Sequence, residues 1–413
     1  MTTQNDLDRT LGAWFHADAT TTPPAEPLAV VIESTRNVRP RPALVAWVGS
    51  SWIGAAGTNG VRDGIARLRP AFVVALILLL ALALAGGALL VGSRLLPPPP
   101  LRHTYLDQLV SAPGLPTPMG APTLATLLDG RVLVMSNSRL PNTALLYDPS
   151  TGMSVPAGAM VAPDRQVGSA VRLRDGRVLV TGDGVSEVFD PTTLQFAPVG
   201  PMMTARSFPG LALLPDGRVL VAGGASPAAS TDLRSAELFD PDTASFSPTG
   251  TMSFGIGPMG PLPDGRLFVA SSPNTEVFDP RSGTFTFAGV IPGGVTAATS
   301  LPDGRVVIVG VTGMQSGGYV GVWDPTRRTY GEVWGGSGSH PLWSATALDD
   351  GRVLVSGGRP APWAGVLDPA TGQMTGVDAP TDGRPASTLL PDGRVLIVGG
   401  LATGAGSSVQ IFQ

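Results

Sequence analysis

Cysteine is absent from this chain of 413 residues, which rules out disulfides and thiolate metal ligands; a domain outside the cell would have to be held by packing alone. Lysine is absent as well, so all 27 basic residues are arginine. Charged residues make up only 14%, aromatic residues 6%, and there are 3 histidines. Residues 101–413 hold 25 acidic side chains against 19 arginines. An acidic surface without a basic cluster excludes nucleic acid as a partner. In their place are 54 glycines and 41 prolines, together with 43% apolar residues. The apolar residues fall in regularly spaced short runs, the pattern of many short strands joined by tight turns rather than of disorder.

One run differs from the rest. Pro70 to Ser93 is 24 residues without a charge, including Leu76, Ile77, Leu78, Leu79 and Leu80. As a helix it would be about 36 Å long, enough for a hydrocarbon core of about 30 Å. It has no polar face, which argues against a core helix, and about 70 residues precede it, which argues against a cleaved signal peptide. Arg62, Arg67 and Arg69 crowd its N-terminal flank, while Arg94 and Arg102 are sparser on the other. The positive-inside rule therefore predicts a single-pass protein of the cell membrane, N-terminus cytoplasmic and C-terminus extracytoplasmic. Four prolines, Pro97 to Pro100, then predict a stiff spacer.

Ahead of the membrane segment, Leu7, Leu11, Trp14 and Phe15 fall on one helical face, and Leu28, Val31 and Ile32 on another. Such stripes usually report membrane contact or packing; the other reading is a cytoplasmic partner for residues 1–60. The layout loosely resembles anti-sigma-factor-like proteins, but the zinc-binding His-Cys-Cys pattern of many of them is missing. The expected organisation is a cytoplasmic segment over 1–69, a transmembrane helix over 70–93, a proline-rich linker over 94–102 and a repeat domain over 103–413.

The repeat governs the last three quarters of the chain. Asp-Gly-Arg followed by an apolar run starts at Asp129, Asp175, Asp216, Asp264, Asp303, Asp350 and Asp392, with spacings of 46, 41, 48, 39, 47 and 42. An eighth Asp-Gly-Arg, at Asp382, is followed by Pro385 instead and is discounted as a repeat. The fullest copy runs from Leu213 through Asp216, Gly217 and Arg218 to Gly223-Gly224. Further on come Tyr147, Phe189, Phe239, Phe278, Trp323 and Leu367, each before Asp-Pro. Asp-Gly between apolar runs predicts a two-residue hairpin turn with φ > 0 at both residues. Asp-Pro predicts a second turn, capped by the Asp, and the diglycine marks the end of a strand. Each unit is then four strands, and one such sheet cannot bury both faces, so several must stack around an axis.

These motifs resemble the kelch repeat and the propeller domain of galactose-oxidase-like proteins. The resemblance implies an all-β fold, a seven-bladed kelch-like β-propeller of four-stranded blades. The last unit ends at Gln413 without its fourth strand, and Tyr105–Ser111 is expected to fill that gap. The resemblance also brings with it a copper site with a Tyr–Cys crosslink and His ligands. With no Cys and only His103 and His340 in the domain, that site cannot be assembled, and no cofactor is expected.

Seven copies of one Arg point to turns rather than catalysis. From the repeat Arg to the next Asp-Pro the distance varies, at 17, 13, 22, 13, 19 and 16 residues, so one face carries the variable loops. Variable loops on a rigid scaffold are where ligands bind. The candidate binding residues there are Arg234, Tyr319, Trp334, His340, Trp343, Arg359 and Trp363. The favoured function is a non-catalytic module for a protein or carbohydrate, signalling inward through the membrane. The alternative is a glycan-active hydrolase or lyase with paired carboxylates in the propeller channel. Two inward carboxylates would favour the enzyme, and an exposed aromatic patch on the loop face the binder.

Overall fold

The computed structural model describes residues 103–136, 144–161, 168–229, 231–255, 257–271, 273–311, 317–335, 342–357, 363–377, 384–399 and 407–413. The expectations for residues 1–102, and for His340 and Arg359, lie outside these. Among the described residues no helix is long and apolar enough to cross a membrane.

Seven four-stranded antiparallel sheets make a closed β-propeller. Blades 1 to 6 are residues 123–156, 169–198, 210–251, 259–290, 294–335 and 342–377, each with its strands in chain order from the channel outward. The second strands explain why the apolar runs do not alternate. Val132, Leu133, Val134 and Met135 are all fully buried, with Leu133 and Met135 packing toward blade 2 and Val132 and Val134 toward blade 7. The described residues form seven such apolar clusters, each shared by two adjacent blades. Burying one such side chain is worth about 1.5–3 kcal/mol, and here every blade depends on its neighbours for it.

The Asp-Gly-Arg turn differs from the two-residue form expected. In all seven blades the Leu before the turn donates its N–H to the Arg carbonyl, and the Gly N–H returns to that Leu, as in Leu127–Arg131 (2.8 Å) and Gly130–Leu127 (3.2 Å). The loop is thus three residues long, with only the Gly at positive φ. The Asp side chain accounts for the change. Oδ1 of Asp129 accepts the backbone N–H of Arg131 at 3.0 Å and Oδ2 accepts its Nε–H at 2.8 Å, a clip that holds Asp in the right-handed region. At the diglycine, a Cβ on Gly224 would meet the Ser207 carbonyl at 2.5 Å, so crowding does require glycine there.

Blade 7 takes three strands from 386–412 and its outer strand from Leu109–Ala112, which pairs antiparallel with Val409–Phe412. The ring therefore closes with the two ends of the domain in one sheet. The expected segment is shifted slightly: Tyr105 precedes the strand and stacks on Phe412 at 5.5 Å, while its hydroxyl donates to the Gly393 carbonyl at 2.6 Å.

Candidate binding face

The two ends of the propeller are built differently. One carries the Asp-Gly-Arg and Asp-Pro turns, and its repeat arginines are paired locally. Each repeat Arg is paired with the Asp of its own turn. Some also reach the next blade: Arg177 donates to the Pro241 carbonyl at 3.3 Å and Arg305 to that of Pro369 at 2.9 Å. Arg352 instead pairs with Asp107 at 2.8 Å, tying blade 6 to the closing segment. The side-chain hydrogen bond from Arg266 holds the Asp264 carboxyl below its ordinary range. Hydroxyls do the same at the Asp-Pro turns, Ser150 for Asp148 and Thr192 for Asp190. This end is a structural one.

The opposite end carries the blade-to-blade connections, and three of them are gripped by buried glutamates on third strands. Glu187 accepts the Val161 N–H at 3.0 Å, Glu237 those of Met203 (2.7 Å) and Thr204 (3.1 Å), and Glu276 that of Ser253 (3.1 Å). Between blades 2 and 3 the grip is strongest. Arg206 is fully buried, pairs with Glu237 at 2.8 Å, and donates to the carbonyls of Gly223 (3.1 Å) and Ser235 (2.7 Å). Ser207 exchanges backbone bonds with Ala225 at 2.8 Å each way and donates its hydroxyl to Asp183 at 2.7 Å. Phe208, next in line, has φ of 53°, a conformation a bulky residue adopts only when its surroundings impose it. These anchored connections hold apolar side chains out to solvent: Val161, Met203 (67% exposed), Phe208 and Phe254.

In blades 5 and 6 the glutamate position holds Gly321 and Gly365 instead. The Tyr330 ring fills the space beside Gly321, and the Trp363 ring and Met374 sulfur that beside Gly365. Trp363 in turn stacks on Trp334 of blade 5, centroids 5.1 Å apart and planes 16° apart.

The third feature is the mouth of the central channel. The inner strands contain no Asp or Glu. At their loop-face ends, blades 5, 6, 7 and 1 line a shallow, open recess of about 330 Å³ whose walls include Ala121, Pro122, Ala297, Trp343, Ala345 and Arg384. The Arg384 guanidinium lies over the Trp343 ring, 4.2 Å from its centre.

Of the residues singled out in the sequence, the structure joins Trp334 with Trp363 and places Trp343 in the channel mouth. Arg234 is exposed on blade 3, apart from them. Tyr319 is a correction. It pairs with Gly310 inside blade 5, is 1% exposed, and packs edge-on to Tyr330. Burial pushes its hydroxyl pKa up to about 12. The long Arg305-to-Asp324 interval made this segment look like loop, whereas the strand Gly318–Asp324 already includes it. Arg384, Met203, Phe208 and Phe254 were not foreseen. The signal for Arg384 was present, in the one Asp-Gly-Arg that breaks the repeat.

A copper centre does not fit these residues. His103 sits at the turn end, edge-on to Tyr105, and among the described residues no three of His, Cys, Asp or Glu come together as ligands.

No family model matches the chain, and no curated protein matches it. Solved structures do. One is a fungal alcohol oxidase of the AA5 family in complex with copper, at 16% identity and TM-score 0.57 over 74% of this chain and 75% of that one. Another is virginiamycin B lyase from Staphylococcus aureus, at 13% identity and TM-score 0.58 over 74% and 98%. The chain shares with both the β-propeller fold.

Proposed function

We propose that residues 103–413 form a kelch-like, non-catalytic binding module for a protein or carbohydrate, carried outside the cell membrane by a transmembrane helix over 70–93. Residues 1–69 then lie in the cytoplasm, where 1–60 meet a partner and pass the bound state inward. The observation that carries the binding role is the anchored display of Met203 and Phe208. A partly exposed aromatic in strained backbone, two residues from a buried ion pair, fits a contact surface that is ordered in advance. The absence of carboxylates from the inner strands leaves the hydrolase or lyase alternative without its acid–base pair on those strands.

The soluble propeller, residues 101–413, closes on its own cores and can be used directly. Pull-down from the native envelope fraction and a glycan array should each be run with wild type and with a Met203→Ser/Phe208→Ser double variant. A ligand captured by wild type and lost with the double variant is expected. Equal capture by both would remove this face from the reading, and turnover of the captured glycan would replace it with the enzyme. For topology, protease added to intact cells should digest the propeller and spare residues 1–69.

A further inference from the structure

The channel mouth carries an exposed positive charge beside an aromatic ring, a pairing no other cation–π contact of the described residues makes inside a recess. All seven repeat arginines are engaged by their own aspartates, and Arg206 is buried against Glu237. Arg384 has no carboxylate partner among the described residues, and its charge is exposed. The cation–π contact with Trp343 holds the guanidinium at the rim of the recess, and a guanidinium offers several N–H donors in one plane. That fork matches a carboxylate, which it can take through two parallel hydrogen bonds.

The walls narrow the choice further. Ala121, Pro122, Ala297 and Ala345 present methyl and ring C–H groups, and Ser344 and Ser387 are the hydroxyl-bearing residues of the lining. The lining mixes polar and apolar groups, so a rigid ring that carries hydroxyls, C–H faces and one carboxylate suits it. A volume of about 330 Å³ lies at the small end of ligand pockets, roughly 300–1,000 Å³.

We propose that the recess between blades 5, 6, 7 and 1 binds a uronic acid unit of an acidic polysaccharide, its carboxylate on Arg384 and its ring against the alanine and proline walls. This rests on the binding-module reading and names a ligand for the same end of the propeller. One exposed guanidinium meets one carboxylate here, so added salt should weaken binding only modestly.

The test is calorimetric titration of the 101–413 propeller with galacturonate and glucuronate oligomers, with glucose oligomers, sodium sulfate and an oligoglutamate peptide as comparisons. Uronate oligomers should bind at low salt, and Arg384→Gln should weaken them at least tenfold. Arg384→Lys, which keeps the charge but loses the fork, should fall between. Arg384 is on the surface, so an unchanged thermal midpoint will show that these variants are folded; Trp343→Phe, retaining an aromatic plane, serves as a second probe and should weaken binding less than Arg384→Gln. Uronate binding that is indifferent to Arg384→Gln overturns the proposal. So does sulfate binding as tightly as the uronates, glucose oligomers doing so, or oligoglutamate being the preferred ligand. Failure here is separable from failure of the loop-face reading, since capture lost with Met203→Ser/Phe208→Ser but kept with Arg384→Gln leaves that reading intact.

Discussion

Arg206 and Glu237 are the fully dehydrated ion pair of this domain's described residues, with side chains 0% and 3% exposed. Their value lies in what a broken pair leaves behind. Glu237→Ala strands a buried guanidinium and frees the Met203 and Thr204 amides, and should cost about 3–5 kcal/mol in urea unfolding. Replacing both, as Arg206→Met with Glu237→Leu, should recover much of that, because two apolar groups leave no charge unpaired. A single variant as stable as wild type would show that the pair does not hold the connection. The turn-end aspartates act differently, through many small contributions. Hydrogen bonds lower the carboxyl pKa of Asp264, Asp148 and Asp190 in the folded state, so the unfolded chain takes up protons first on acidification. Their stabilisation is fully present above the ordinary Asp value of about 3.9 and is lost as pH falls through the lower folded values. Urea midpoints should therefore hold steady between about pH 7 and 5 and drop below about pH 4, with Asp264→Asn and Asp148→Asn flattening the drop; a midpoint constant to pH 3 would contradict this.

At the scale of the turn and the strand, the glycines of Asp-Gly-Arg separate two costs. Gly351 has φ of 92°, and a Cβ there would meet nothing within 4 Å, so Gly351→Ala should cost only the backbone strain, about 1–2 kcal/mol. At Gly304, φ 88°, the added Cβ would also press on Pro263 at 2.9 Å, so Gly304→Ala should lower the thermal midpoint further. Equal effects at both would mean that the inter-blade contact yields freely. The same elements show why some of the fold could be read in advance. Second strands buried on both sides need unbroken apolar runs, so Val219–Ala222 or Val395–Val398 declare themselves, and their repetition counts the blades. The turn conformation was not legible, because Asp-Gly suits two hairpin types and only the Asp129-to-Arg131 clip decides between them. Nor was the role of Glu237, whose partners are loop amides 33 and 34 residues away with no side-chain signature. Tyr319 was misplaced because the long Arg305-to-Asp324 interval was read as loop up to it, whereas the third strand starts at Gly318 and Gly310 across from it makes room for the ring.

For the molecule as a whole, the closing strand decides whether seven mutually dependent blades behave as a ring or as an open array. Leu109–Ala112 covers the edge of Val409–Phe412, Tyr105 caps Phe412, and Asp107 binds Arg352 across the junction. An open array has two ends whose apolar faces lack a neighbour, and it frays from them; a closed one has none. A chain beginning at residue 114 should therefore unfold at lower urea, over a broader range, than the propeller that begins at 101. Its exposed edge, Val409 to Phe412, would be free to pair with another copy, so association rising with concentration should accompany the loss. A synthetic peptide of residues 101–113 offers the decisive control. Added in excess, it should restore both the midpoint and the monomer by supplying the missing strand in trans, whereas Tyr105→Phe in that peptide, lacking the hydroxyl that meets Gly393, should do so less well. If the shortened chain is as stable and as monomeric as the longer one, the seven inter-blade cores suffice by themselves and the shared sheet is not what holds the ring shut.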